Sequence, residues 1–227
     1  MKQPLATRFR PQNIQDFVGQ QHLLSVESTF RKAIENNTNQ SIILWGPPGC
    51  GKTTLANIIA TNSKRMYAQL SAVHDGLSKL REIISNSTLL GVTLFIDEIH
   101  RWNKSQQDAL LPHIESGKVQ LLGATTENPI FSLNSALRSR CWIIELHPLT
   151  EEDMTSVLTK VVKNEKASHI DEKTISLIAS TSQGDARRAL NILEQLISNP
   201  TFDVHDILGD TLPFTTKDLR FDCISAW

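Results

Sequence analysis

One eight-residue segment restricts the possible folds of this chain more than any other. Residues 46–53 read Gly-Pro-Pro-Gly-Cys-Gly-Lys-Thr and satisfy the pattern G-x-x-x-x-G-K-[ST] at every constrained position. An apolar run at 41–45 precedes the segment, and apolar residues at helical spacing follow it at 54–61. A strand, a glycine-rich loop and a helix in this order form a cradle of backbone N–H groups for phosphates. The sequence therefore predicts a nucleotide-binding protein.

The residue types of this phosphate loop indicate how the nucleotide would be held. Glycines allow a tight turn close to the phosphates, and the helix that follows directs the positive end of its dipole towards them. Lys52 would reach the β- and γ-phosphates, and the Thr53 hydroxyl would ligate Mg²⁺. The residues expected to contact ATP here are Gly46, Pro47, Pro48, Gly49, Cys50, Gly51, Lys52, Thr53 and Thr54.

A second segment, at residues 92–98, ends an apolar run with two carboxylates. Such a run is typical of a buried parallel strand, and its C-terminal end lies where α/β sheets bind ligands. Asp97 would hold Mg²⁺ directly or through water. Glu98 could orient a water that attacks the γ-phosphate, or accept its proton. Asp-Glu pairs also occur as solvated helix caps, but beside a phosphate loop they favour hydrolysis over storage of nucleotide.

The alternation of strands and helices predicts an α/β fold with a parallel sheet and helices on both faces. Strands are expected at 41–45, 67–72, 92–97, 119–125 and 142–146. Helices are expected at 20–36, 54–61, 76–90 and 104–116. From Thr150 to Ser198 the pattern is helical, and it begins with an N-cap and first-turn acids. We predict an α/β domain at 1–148, a small all-helical domain at 149–200 and a further segment at 201–227.

Composition narrows the class of protein. The formal net charge of the 227 residues is −1 at pH 7, so charge alone indicates no polyanionic partner. The cysteines, Cys50, Cys141 and Cys223, contain no C-x-x-C pair, so neither a disulfide framework nor a zinc site is expected. No run approaches membrane-spanning length, and no apolar signal core is present. We expect a soluble protein with no membrane partner, located in the nucleus of a eukaryote or the cytoplasm of a bacterium.

Two arginine-bearing segments separate AAA+ ATPases from other P-loop proteins. The segment 134–141 lies just before the last predicted strand, where an arginine could project to the γ-phosphate of a neighbouring subunit. The segment 184–188 opens a helix of the second domain and would place Arg187 over the nucleotide. Each segment alone is weak evidence for a catalytic arginine, since surface arginines near turns are mostly solvated. Because both segments follow the phosphate loop and the acidic strand in this order, together they favour a role for their arginines in ATP hydrolysis.

Five longer segments carry a more specific signal: residues 8–11, 18–24, 44–56, 97–108 and 123–129. With them the chain resembles the RarA family of AAA+ ATPases, the bacterial replication-associated recombination proteins whose vertebrate member is the Werner-helicase-interacting ATPase. The helix that follows the acidic strand is more specific to this family than the phosphate loop. Clamp-loader subunits share the general plan without that helix sequence.

The resemblance implies a P-loop AAA+ domain followed by a helical lid, and it assigns further residues. Thr126 would help to position the attacking water. Arg140 would be an arginine finger that acts in trans, and Arg187 would be the lid arginine. The residues that would border the adenine are Arg10, Pro11, Val18 and Gly19.

The resemblance also implies partners. Family members are DNA-stimulated homo-oligomers that act at stalled or gapped replication forks, on single-stranded or forked DNA, together with replication and repair proteins. The local candidates for DNA contact are Arg101, Trp102 and Lys104, a set that could grip the backbone and stack a base. In the alternative arrangement, Trp102 packs beneath the next helix and both charges are solvated.

The end of the sequence departs from the family pattern. RarA proteins continue past the lid into a helical domain that forms tetramers, whereas residues 220–227 resemble only its beginning. We therefore expect weak assembly and a slow, concentration-dependent ATPase. Two alternatives stay open. One is a clamp-loader subunit that opens a sliding ring with partner subunits, and the other is a truncated ATP-binding interaction module with little turnover.

Overall fold

A computed structural model describes residues 3–202 together with Val204 and Ile207. The predicted segment 201–227 therefore lies almost wholly outside the described residues, as do Cys223 and the segment 220–227. Within the described part of the chain, no helix has both the length and the apolar character needed to cross a membrane.

A parallel sheet forms the centre of the molecule. Its strands are β1 (Ser41–Trp45), β2 (Met66–Ser71), β3 (Val92–Asp97), β4 (Val119–Thr125) and β5 (Cys141–Glu145). They lie in the order β2-β3-β4-β1-β5, and every neighbouring pair is parallel. All residues of β4 are buried, because helices cover both faces of the sheet. The predicted fold class is confirmed, with β2 and β5 each displaced by one residue from the expected bounds.

Helices connect and cover the strands. They are α1 (Leu5–Arg8), α2 (Gln21–Leu24), α3 (Thr29–Glu35), α4 (Lys52–Asn62), α5 (Leu77–Ser85), α6 (Lys104–Asp108), α7 (Leu111–Glu115), α8 (Pro129–Ser132), α9 (Ser135–Arg138), α10 (Glu151–Glu165), α11 (Glu172–Thr181) and α12 (Ala186–Ser198). Apolar side chains of α4 pack on one face of the sheet, with Ile42 and Leu44 of β1. Those of α5 pack on the other face, with Ile43.

The structure corrects the bounds of four predicted helices. The helix expected at 20–36 is two helices, because Ser25 is extended and Ser28 caps α3 by accepting a hydrogen bond from Arg31 N. The helix expected at 104–116 is interrupted before α7, since Pro112 has no N–H to donate to the carbonyl of Asp108. The helix expected at 76–90 ends at Ser85, and the helix expected at 54–61 begins earlier, at Lys52.

The helices α10, α11 and α12 share an apolar cluster of their own. Leu5 of α1 is buried in this cluster, 2% exposed, beside Leu158 and Leu193. The start of the chain therefore packs against the helices that follow β5, although it lies in the other predicted domain. Residues after α1 must then run back from the helical cluster to the edge of the sheet.

Candidate nucleotide-binding site

A cleft of about 730 Å³ lies at the carboxyl ends of the strands, between the sheet and the helical cluster. Distant parts of the sequence supply its walls: α1 and the segment after it, the phosphate loop, the ends of β3 and β4, one face of α10, and the start of α12. The predicted site residues that line it are Arg10, Pro11, Val18, Pro48, Gly49, Cys50, Gly51, Lys52, Thr53, Thr54, Asp97, Glu98, Thr126 and Arg187. Gly19, Gly46 and Pro47 adjoin these residues in the chain, and Arg140 lies elsewhere.

The phosphate loop depends on glycine at two positions. Gly49 and Gly51 have φ angles of +69° and +103°, which glycine adopts without steric strain. A Cβ at Gly49 would overlap Oδ1 of Asp185, and a Cβ at Gly51 would lie 2.6 Å from Cζ of Phe17. The loop is thus in close contact with the start of α12 on one side and with Phe17, in the segment after α1, on the other.

Lys52 and Cys50 have distinct environments within the loop. Nζ of Lys52 donates to the carbonyl oxygens of Gly46 and Pro47, each at 2.8 Å, so the ammonium group is held inside the turn. Burial raises the pKa of the Cys50 thiol above its ordinary value, and the nearby Lys52 only partly offsets this effect. Cys50 therefore acts as a small neutral packing group beneath the loop.

The two acids lie where β3 ends. Oδ1 of Asp97 accepts a hydrogen bond from Glu98 N at 3.1 Å. Glu98 has left-handed backbone angles, φ 54° and ψ 42°, which cost a non-glycine residue roughly 1–3 kcal/mol. Oε2 of Glu98 lies 3.3 Å from Nε2 of His100, whose side chain is only 3% exposed. This strained turn directs both carboxylates to the cleft.

The donor set at the cleft suits Mg²⁺. Thr53 offers a hydroxyl oxygen and Asp97 a carboxylate oxygen, and both line the same cavity as the phosphate loop. Mg²⁺ prefers oxygen ligands and usually binds through one or two protein groups together with phosphates and water. The chemistry of these two side chains therefore fits the predicted metal.

Thr126 and Arg187 approach the cleft from different sides. Thr126 follows β4, which lies between β3 and β1, so the residue is placed between the acids and the phosphate loop. Arg187 is in the first turn of α12, where Asp185 caps the helix by accepting from Arg188 N at 3.0 Å. Ala186 N donates to the carbonyl of Gly49 at 3.4 Å. This contact joins the lid helix to the loop and brings Arg187 into the cleft.

The predicted adenine-side segment is tied to the junction between β5 and α10. Gln20 is buried, and its amide donates to His147 O at 2.7 Å and accepts from His147 N at 2.9 Å. The rings of His22 and His147 stack with centroids 4.1 Å apart. Gly19 has a φ of +80° and packs against Leu149 rather than lining the cleft. A shift of α10 would therefore move the segment that carries Val18.

Arg140 lies at the amino-terminal ends of the strands, opposite the ends that carry the cleft. It precedes β5, whose first residue, Cys141, is in register with Ser41 at the start of β1. The phosphate loop follows Trp45 at the other end of β1, about 13 Å further along at a rise of about 3.3 Å per residue. The guanidinium contacts Glu115, with Nε 2.6 Å from Oε1. Arg140 is thus remote from the cleft of its own chain.

Of the two arrangements considered for Trp102, base stacking and packing beneath the next helix, the structure excludes base stacking. Its side chain is buried, with the residue 2% exposed, and Nε1 donates to Asp75 O at 3.1 Å. The reason is the short 3₁₀ turn Ile99–Arg101, which turns the following residue into the core before α6 begins. The alternative packed arrangement is the one observed. Arg101 and Lys104 remain exposed.

His100 and Glu127 also lie at the edge of the sheet that carries the two acids, and neither was predicted as a site residue. His100 Nδ1 lies 2.9 Å from Oγ1 of Thr125, and Nε2 lies 3.5 Å from Oε1 of Glu127 as well as near Glu98. Their positions in the sequence, just after two predicted strands, could have indicated them, because polar residues that follow adjacent parallel strands meet at one edge of the sheet. The pairing itself depends on β3 and β4 being neighbours, which a linear sequence does not reveal.

Comparisons with known proteins show a P-loop family for this chain. The family described as the Holliday junction DNA helicase RuvB P-loop domain matches residues 9–136. Replication-associated recombination protein A of Escherichia coli (strain K12) is 46% identical over 99% of this chain and 56% of its own length. ATPase WRNIP1 of Dictyostelium discoideum is 43% identical over 86% of this chain and 23% of its own length.

A solved structure gives a similar result. The Thermotoga maritima RuvB Holliday junction branch migration motor is 28% identical, with a TM-score of 0.70 over 89% of this chain and 67% of that one. The chain thus spans about half the length of the Escherichia coli protein and about a quarter of WRNIP1.

Proposed function

The chain belongs to the AAA+ ATPase family that contains replication-associated recombination protein A and WRNIP1, with a P-loop domain of RuvB type, and we propose that it hydrolyses ATP to ADP and phosphate. One observation carries the proposal. The phosphate loop, both acids of β3, Thr126 and Arg187 line a single cleft although they come from distant parts of the sequence.

ATP would bind with its phosphates on the loop. The backbone N–H groups of the loop and the start of α4 would cradle the phosphate oxygens. Lys52, now held by two loop carbonyls, would turn its ammonium group to the β- and γ-phosphates. Thr53 and Asp97 would hold Mg²⁺, which neutralises charge on the phosphate oxygens when bound. The adenine would lie against the segment from Arg10 to Gly19.

Hydrolysis would begin with a water placed by Glu98 and Thr126. The water oxygen attacks the γ-phosphorus, the bond to the β–γ bridging oxygen breaks, and ADP departs with that oxygen. The water proton moves to the Glu98 carboxylate or to phosphate. Arg187 would neutralise charge that develops on the γ-phosphoryl group. Each of these side chains lines the cleft.

Complete catalysis would require a second copy of the chain. Arg140 lies at the edge of the sheet opposite its own phosphate loop, so it would act on the nucleotide of a neighbouring subunit. A guanidinium supplied in trans stabilises charge on the transferred phosphoryl group. The proposed active form is therefore a homo-oligomer, and turnover per subunit would rise with protein concentration.

The proposed cellular role is action on DNA during replication-associated recombination, at single-stranded or forked DNA and with repair proteins. The names of the relatives support this role, since they refer to replication-associated recombination and to Holliday junctions. They favour it over the clamp-loader alternative. The exposed cations Arg101 and Lys104 are the local candidates for contact with the DNA backbone.

The variant Glu98→Gln tests the proposed hydrolysis. The change keeps the shape of the side chain and removes the carboxylate, so ATP binding should persist while phosphate release falls by about 100-fold or more. Glu82→Gln is the matched control, because Glu82 lies on α5 and pairs only with the surface residue Lys79 among the ion pairs of the described residues. Equal, measurable turnover in the two variants would refute the role of Glu98, and ATP binding without turnover in either variant or in the wild type would support a binding module.

A further inference from the structure

His100 is an almost fully enclosed ionisable side chain at the edge of the sheet that carries the two acids. It lies two residues after Glu98, on the 3₁₀ turn Ile99–Arg101, and its side chain is 3% exposed. None of the roles described above uses it. Its two ring nitrogens face different partners, and those partners determine which nitrogen carries the proton.

The Nδ1 side of the ring faces a hydroxyl. Oγ1 of Thr125 lies 2.9 Å from Nδ1, and Thr125 is the fully buried last residue of β4. The same hydroxyl accepts a hydrogen bond from Glu127 N at 3.0 Å. Its single proton has two acceptors within reach, Glu127 O at 3.2 Å and Nδ1 at the shorter distance of 2.9 Å.

The Nε2 side faces two carboxylates. Oε2 of Glu98 lies at 3.3 Å and Oε1 of Glu127 at 3.5 Å. An ionised carboxylate only accepts hydrogen bonds, so a bare Nε2 would place three acceptors together beside a ring that is itself only 3% exposed. In neutral His100 the proton must then be on Nε2, and Nδ1 accepts from Thr125.

We propose that His100 is a positioning residue for Glu98: its Nε2–H holds the Glu98 carboxylate in the orientation required for the attacking water. The inference rests on the proposed role of Glu98. The Glu98 side chain is 33% exposed, so without this donor it would be free to sample rotamers that face solvent. Thr125 holds the ring from β4, and the network thereby links the ends of two neighbouring strands.

Kinetic variants test the orienting role. His100→Leu removes the ring's hydrogen bond with Thr125 and its contact with Glu98, and it should lower kcat by about 10- to 100-fold, because small displacements of catalytic groups have effects of this size. The KM for ATP and its affinity should change less than twofold, since His100 does not line the phosphate cradle. His100→Gln, with an amide N–H that reaches a similar position, should recover at least a third of the lost activity. His113→Leu, on α7, is the control for the same change elsewhere.

A double variant separates positioning from general damage. If His100 acts through Glu98, the double variant that combines Glu98→Gln with His100→Leu will have the same kcat as Glu98→Gln alone. A further tenfold loss in the double variant would overturn the proposal. So would an equal fall in kcat for the Leu and Gln variants accompanied by equal falls in melting temperature, because that pattern indicates only a structural role.

A spectroscopic measurement keeps this inference separate from the proposed hydrolysis. Long-range ¹H–¹⁵N spectra of the full chain should show His100 with a protonated Nε2 and a bare Nδ1, and Glu98→Ala should shift its resonances. Protonation at Nδ1 alone, or resonances unchanged in Glu98→Ala, would contradict the inference even in an active enzyme. The expected spectrum in a chain without turnover would support the contact while refuting hydrolysis.

Discussion

Replacement of Gly49 by alanine should uncouple the lid from the phosphate loop. An ideal Cβ at this position would overlap Oδ1 of Asp185 and lie 2.7 Å from its Cα. Carbon atoms pack at about 3.8 Å, so the start of α12 would have to retreat by about 1 Å. Arg187 belongs to that first turn and would move with it. A displacement of about 1 Å at a catalytic group can lower kcat by about 100-fold.

Gly117→Ala is the matched control for this experiment. Gly117 has a φ of +71°, nearly the same as Gly49, but no atom lies within 4 Å of its ideal Cβ. Both variants carry the same left-handed strain, which destabilises an alanine by about 1–2 kcal/mol, and only one presses on the lid. In denaturant titrations Gly49→Ala should lose more unfolding free energy than Gly117→Ala, because only Gly49→Ala also forces α12 to move. Steady-state kcat should fall only for Gly49→Ala. Equal kcat values would refute the link between lid contact and Arg187.

Three further perturbations follow from the structure. Trp102→Ala should lower the unfolding free energy by about 3–5 kcal/mol, because it removes a buried side chain. Trp102→Phe should leave the affinity for single-stranded DNA unchanged in fluorescence anisotropy, and a loss of affinity would support the stacking role. Arg140→Ala should lower kcat by about 1,000-fold. Mixing this variant with Glu98→Gln should restore turnover, since mixed assemblies contain some complete sites, and an inactive mixture would argue against action in trans. Hydrogen bonds from Thr174 lower the pKa of Asp171, so the stabilising effect of its carboxylate is present above the ordinary pKa and is lost as pH falls through the lowered value. The melting temperatures of wild type and Asp171→Ala should therefore converge in strong acid, and a difference that stays constant with pH would contradict this.

The strands could be predicted closely because buried parallel strands are continuous apolar runs. β3 and β4 are of this kind, and their predicted bounds agree with the structure. Helix ends were harder to predict, because apolar spacing continues through residues that interrupt the backbone hydrogen bonds. Pro112 breaks one predicted helix, and the extended Ser25 breaks another.

The site was partly predictable for a topological reason. Residues that follow parallel strands gather at one edge of the sheet, so Asp97 and Lys52 could be assigned to one cleft without knowledge of the strand order. Contacts between distant segments were not predictable. The packing of Asp185 on Gly49 and the partners of His100 depend on which strand and helix are neighbours. The roles of the individual site residues, and the domain bounds, stay predictions.

The rate of phosphate release per subunit, measured for the full chain over a wide range of protein concentrations, tests the central claim most directly. Glu98→Gln serves as the blank, and each concentration is measured with and without forked DNA. We predict a rate that exceeds the blank, rises with protein concentration and increases with DNA, because in the proposed mechanism Arg140 is supplied by a second copy. ATP binding with a rate no higher than the blank at every concentration would contradict the account.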